Sequence, residues 1–197
     1  MEKKIKELEK IIKYDFKKSA LLERALTHKS LNNEINNEKL EFLGDRVLGL
    51  IIAETLLEKY PDEKEGIIDK KFANLVNKKT CSLIAKKINL KKYILLGSSH
   101  KKLERSAEKI SSDCLEALVG AIYLDGGFKP VQKFIFMFWE EFLLKSTITL
   151  IDSKTKLQEF SLKNLKNCQS ILFSKKQDHN TDHYSKLKCK YLILKKY

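Results

Sequence analysis

An all-α fold is what this sequence predicts, and three observations carry the prediction. Apolar residues recur at spacings of three and four through successive segments, the period of a helix with one buried face. The breaks between segments are helix-ending ones: a polar, Asn-rich loop at 32–37, then Pro61, then Asp125-Gly126-Gly127. Among the last residues only Tyr191-Leu192-Ile193-Leu194 reads as a strand.

In order, residues 4–13 make a short amphipathic helix through Ile5, Leu8, Ile11 and Ile12, followed by a second from about Lys18 to His28. The central helix covers about 38–60, with Leu40, Leu43, Val47, Leu48 and Ile51 directed inward. A single helix is expected from Gly66 to Ile88, then a lysine-rich connection through Gly97-Ser98-Ser99. A long helix follows over about 104–124 and a last one over about 129–145. The aromatics of that last helix, Phe134, Phe136, Phe138, Trp139 and Phe142, read as core or subunit interface rather than as a platform for bases. There is no internal repeat.

The 197 residues suffice for one well-cored domain and a small second piece. A composition 43% hydrophobic and 33% charged is that of a soluble globular chain. No apolar run reaches the roughly 18 residues of a membrane span, and Met1-Glu2-Lys3-Lys4-Ile5 opens no signal-peptide core. Cys81, Cys114, Cys168 and Cys189 form no CxxC pair, so reduced thiols in the cytoplasm are expected. The net charge is +13, and 151–197 holds 11 basic against 4 acidic side chains. That excess suggests a polyanionic partner, although a solvated lysine face needs none.

The chemistry concentrates in two places. In NEKLEFLGDRVLGL (37–50), Glu38, Glu41 and Asp45 stand at i, i+3 and i+7, so three carboxylates share one helix face. Like charges at these spacings repel. Something positive is expected among them, and a divalent cation is the natural candidate. In DCLEALVGAIYLDGG (113–127), Asp113 and Glu116 repeat the i, i+3 pairing above a stripe of Leu115, Leu118, Val119 and Ile122. If the two helices pack side by side, Glu41, Asp45, Asp113 and Glu116 converge. Oxygen ligands without His or Cys suit Mg²⁺ or Mn²⁺ rather than zinc. Taken singly, such an acidic face is most often just a solvated helix surface. His179 and His183 have i, i+4 ligand spacing but lie in a polar tail; His28 reads as a helix-end cap or packing residue and His100 as a loop residue.

Both runs, in this order, with Thr27-His28-Lys29-Ser30 upstream and Glu65-Gly66 between them, closely resemble ribonuclease III over roughly residues 5–165. The resemblance implies a helical, homodimeric endonuclease domain (1–147), a linker (148–153), and an incomplete α+β double-stranded-RNA-binding segment (154–197). In that segment only a first helix, about 154–166, is legible. It implies metal ligation by Glu41, Asp113 and Glu116, with Asp45 and Glu116 catalytically indispensable, Glu38 and Glu65 as supporting acids, and Phe42 at the subunit contact. Thr155, Gln158 and Glu159 match RNA-contacting positions of the first helix. The implied cofactor is Mg²⁺, with Mn²⁺ as a substitute, and the partners are double-stranded RNA and a second copy of the chain, with no membrane. The implied reaction is endonucleolytic hydrolysis of double-stranded RNA to 5′-phosphate and 3′-hydroxyl ends, in processing of ribosomal, messenger and transfer RNA precursors.

Two departures stand out. Arg46 follows the key Asp where many relatives carry a small residue, free to contact a phosphate or to pair with a carboxylate. The usual Gly-Gly-Arg loop is replaced by a region holding Lys101, Lys102, Arg105 and Lys109. After about Asn167 the resemblance stops, and Cys168–Tyr197 cannot complete the RNA-binding domain, as a truncation or reading-frame change would explain. A carboxylate-bridged di-iron bundle is disfavoured because no histidine lies three residues after a Glu. A non-catalytic RNA-binding protein on the same fold is the stronger rival, although it would be expected to have lost one of these acids.

Overall fold

The computed structural model describes residues 2–97 and 107–146. The expected sites Thr155, Gln158 and Glu159, and the residues Lys101, Lys102, Arg105, His100, His179 and His183, lie outside the described residues, as do 148–153 and 154–197. The described residues form seven α-helices: α1 (Glu2–Ile12), α2 (Ser19–Leu26), α3 (Glu38–Lys59), α4 (Glu65–Val76), α5 (Lys78–Lys87), α6 (Ala107–Gly126) and α7 (Phe128–Lys145).

Helix α6 is the axis of the fold. From Ile110 to Ile122 every residue is buried except Asp113, which is half-buried. A helix apolar nearly all round must be surrounded. Here α3 packs along it most extensively, with α2, α5 and α7 on other sides. The expected inward residues of α3 are indeed inside: Leu40, Val47, Leu48 and Ile51 are buried and Leu43 packs against the core. The aromatic stripe of α7 divides. Phe134, Phe138 and Trp139 enter the core, with Trp139 Nε1 donating to the Leu75 carbonyl at 2.9 Å, while Phe136 is 40% exposed.

Three boundaries differ from expectation. The helix expected over 66–88 is two helices. Asn77 adopts an extended backbone (φ −71°, ψ 159°) and its side chain accepts from the Thr80 N–H at 2.9 Å, capping α5. The local hydrogen bond of an Asn competes with helix continuation, and the apolar Leu75-Val76 before it and the lysines Lys78-Lys79 after it both read as continuing helix. Asp125 and Gly126 remain helical, and the stop falls on Gly127 at φ +81°, open to glycine at no steric cost. Helix α2 ends at Leu26, because Thr27 and His28 pair with Leu95: the His28 N–H donates to the Leu95 carbonyl at 3.0 Å, and the Leu95 N–H to the Leu26 carbonyl at 2.8 Å. Gly97 continues this staple, its N–H donating to Ser30 Oγ at 3.1 Å. His28 packs at this helix end, its Nδ1 accepting from the Ser30 N–H at 3.1 Å.

The far end of α7 is latched by a buried lysine. Lys71, 2% exposed, donates to the Ser146 carbonyl at 2.7 Å, pairs with Glu63 at 3.3 Å and sits 4.0 Å above the Tyr60 ring. The last carbonyls of a helix lack intrahelical donors, and a cation there satisfies both hydrogen bond and dipole. Lys59 serves the Leu143 carbonyl in the same way, at 3.0 Å.

Candidate metal centre

Two glycines set the site. A Cβ on Gly44 would lie 1.7 Å from the Glu116 carbonyl oxygen, and one on Gly120 would lie 2.3 Å from the Leu40 carbonyl oxygen. The backbones of α3 and α6 therefore touch, closer than any side chain permits. Glu41 stands one turn before Gly44, and Glu116 one turn before Gly120, so the crossing presses both acids together. Asp113 shares the Glu116 face at i, i+3. One carboxylate oxygen from each of Glu41, Asp113 and Glu116 lies within 4.8 Å of the other two.

The cluster is held under electrostatic load. Burial pushes Glu116 up to about 7, and the charges of Asp45, Asp113 and Glu41 push the same way. Glu41 is also raised, by burial and then by Asp113; Asp113 is raised by burial, against the pull of Lys78 and Lys109. Ser112 Oγ donates to Glu116 Oε1 at 3.4 Å. Asp113 Oδ1 is buried without a hydrogen-bond partner. A buried carboxylate oxygen without a partner costs free energy that a cation would recover. The donor set, three carboxylates with no imidazole or thiolate, fits a hard divalent ion.

The other expected residues are placed differently. Asp45, expected to converge with the other three, stands outside the close group and accepts from Arg46 Nη1, although its charge still acts on Glu116. Glu38 is turned outward to an ion pair with Lys29 at 2.8 Å. Glu65, the first residue of α4, is exposed and does not join the group. Phe42 is 66% exposed, with the Arg46 guanidinium over its ring. Lys78 is a further charge beside the group, one that no catalytic motif in the sequence marks. It opens α5 just after the cap, so recognising Asn77-x-x-Thr80 as a helix start would have pointed to it. Cys81, on the next turn, is buried, and its thiol is pushed up to about 12 by burial and by the charges of Glu116 and Asp45. Helix α5 thus backs the acidic crossing.

A helical domain that gathers carboxylates where two helix backbones touch has the build of an acidic, cation-dependent nuclease domain. The chain belongs to the ribonuclease-III-like family, whose profile matches residues 18–147. It is 60% identical over 157 residues to Ribonuclease 3 of Pelagibacter ubique, covering 79% of this chain and 70% of that relative. Ribonuclease 3 of Bartonella bacilliformis is 42% identical over 160 residues, covering 80% and 68%. The fold superposes on the nuclease domain of ribonuclease III from Campylobacter jejuni with a TM-score of 0.67 at 41% identity, over 70% of this chain and 96% of that one. That structure is described for flexibility in its region involved in dimer formation.

Proposed function

We propose that the chain is a Mg²⁺-dependent endoribonuclease that hydrolyses double-stranded RNA to 5′-phosphate and 3′-hydroxyl ends, with Mn²⁺ as a substitute ion. The observation that carries this is the three-carboxylate group of Glu41, Asp113 and Glu116, closed to within 4.8 Å and containing the partnerless Asp113 Oδ1. These three residues would hold the ion. When bound, a divalent cation supplies positive charge against the phosphoryl oxygens and acidifies water. The protein's own part is to keep the carboxylates ionised and aligned. Lys78 and Lys109 oppose the protonation that burial favours. The contact at Gly44 and Gly120 fixes the spacing between the two helices. Asp45 is the further acid beside the group, and Glu38 and Glu65 support the cleft from its rim.

The working unit is a homodimer joined through the face that exposes Phe42, with one site for each strand. By family resemblance the catalytic domain is assigned to residues 1–147 and RNA contacts to Thr155, Gln158 and Glu159, which lie outside the described residues. By the same resemblance its substrates are ribosomal RNA precursors and some messenger and transfer RNA precursors, and its compartment is the cytoplasm.

One gel tests the reading: a labelled RNA duplex at low salt with Mg²⁺, the native chain, Glu116→Ala, and the native chain with EDTA. Cleavage by the native chain with Mg²⁺ alone is the expected result. An intact duplex in all three lanes, with folded protein, sinks the nuclease reading in favour of RNA binding without catalysis.

A further inference from the structure

We propose that Arg46 is the positioning residue for Asp45, held in place by the ring of Phe42. The proposal rests on the nuclease reading above. Neighbouring residues on a helix point about 100° apart, so Asp45 and Arg46 have no geometric reason to meet. They meet nonetheless, Arg46 Nη1 donating to Asp45 Oδ2. Phe42 explains how. It lies one turn before Arg46 on the same face, and Arg46 Cζ rests 5.1 Å from its ring centroid. A guanidinium can stack through its face and donate from its edge at once, which an ammonium cannot do.

The clasp has a consequence for the site. Asp45 is the acid left out of the close carboxylate group. Its direction is set by Arg46, which also offsets its charge beside Glu41, Asp113 and Glu116. The ring beneath is 66% exposed, so anything that covers Phe42 also removes water from the Arg46–Asp45 pair and strengthens it. Placement of this acid is thereby tied to the state of an apolar surface patch. The competing role for Arg46 is a direct phosphate contact, which would act on RNA affinity instead.

The test compares the native chain with Arg46→Ala, Arg46→Lys, Phe42→Leu and the Arg46→Ala/Phe42→Leu pair. Single-turnover cleavage is measured at saturating duplex with Mg²⁺, and duplex affinity in a Glu116→Ala background. Arg46→Ala is expected to slow cleavage roughly 10- to 100-fold, the size of effect a misplaced group produces. Duplex affinity and melting temperature should stay unchanged. Arg46→Lys should not restore the rate, and the double variant should be no slower than Arg46→Ala. An unchanged saturating rate with weakened duplex binding makes Arg46 a phosphate contact and overturns the proposal, as does full additivity. A second arm needs no catalysis. The Arg46 Nε–H signal in ¹⁵N spectra should be sharp in the native chain and broadened by exchange in Asp45→Asn and in Phe42→Leu. If it is equally broad in all three, the proposal falls. A native chain that does not cut sinks the nuclease reading alone, since the spectra still decide the clasp.

Discussion

Glu116 shows what one side chain carries. Its folded value of about 7 stands above the ordinary 4.5, so the folded chain holds this proton more tightly than the unfolded chain does. The sign follows from linkage. The penalty is absent below about pH 4.5, grows as pH rises towards 7, and is complete above it, so the cation-free protein loses stability across that window. Replacing Glu116 by Gln, which cannot ionise, should stabilise the cation-free protein at pH 8 by on the order of 2 kcal/mol. For a chain of this size that is roughly 5 °C in melting temperature. At pH 4.5 the gain should vanish. Adding Mg²⁺ should stabilise the native chain and leave the variant little changed, as calorimetry with and without EDTA would read. The i, i+3 spacing made Glu41, Asp113 and Glu116 legible in the sequence. The turn of Asp45 towards Arg46 was not legible, because it depends on a side chain wrapping against the direction helix geometry gives it.

At the scale of elements, the site is a property of two helices rather than of four acids. Gly44→Ala would drive a methyl group into the Glu116 carbonyl, so α3 and α6 must part. A loss of about 3 kcal/mol or more is expected, together with the cation response. Gly49→Ala on the same helix is the control. Its new Cβ would meet only the Phe72 ring at 3.5 Å, an ordinary contact, and the helix gains up to about 1 kcal/mol of propensity. Urea titrations should move in opposite directions for the two variants. Asn77→Ala should cost about 1 kcal/mol by removing the α5 cap, and should disturb the placement of Lys78 beside the acids. Among the described residues, helix existence was readable from apolar period. The α4–α5 break was not, because an Asn between Val76 and Lys78 looks the same on an exposed helix face as at a cap.

At the scale of the whole molecule, one chain leaves apolar surface unaccounted for. Phe42, Leu50 and Leu57 are 66%, 61% and 60% exposed and fall on one side of α3. A row of this kind on a helix whose other faces are buried marks an association surface. Phe42→Asp should shift sedimentation towards the monomer at micromolar concentration while leaving helicity unchanged. Cleavage should also fall steeply with added salt, given the +13 net charge, each neutralised phosphate contributing to the slope. A sequence alone shows that these residues are apolar. It does not show which of them the fold leaves outside, since that depends on how much of α3 the helix α6 covers.

The lysine under the end of α7 gives this protein a built-in chemical clock. Among the described residues, the lysines other than Lys71 keep contact with water, so an amine-reactive reagent tags them first. Lys71, sealed beneath Tyr60 and spent on the Ser146 carbonyl, can be tagged only when that latch lets go. The lag of its peptide in a timed mass-spectrometric series therefore reports how often the carboxyl end of the nuclease domain comes undone, with no label or mutation introduced beforehand.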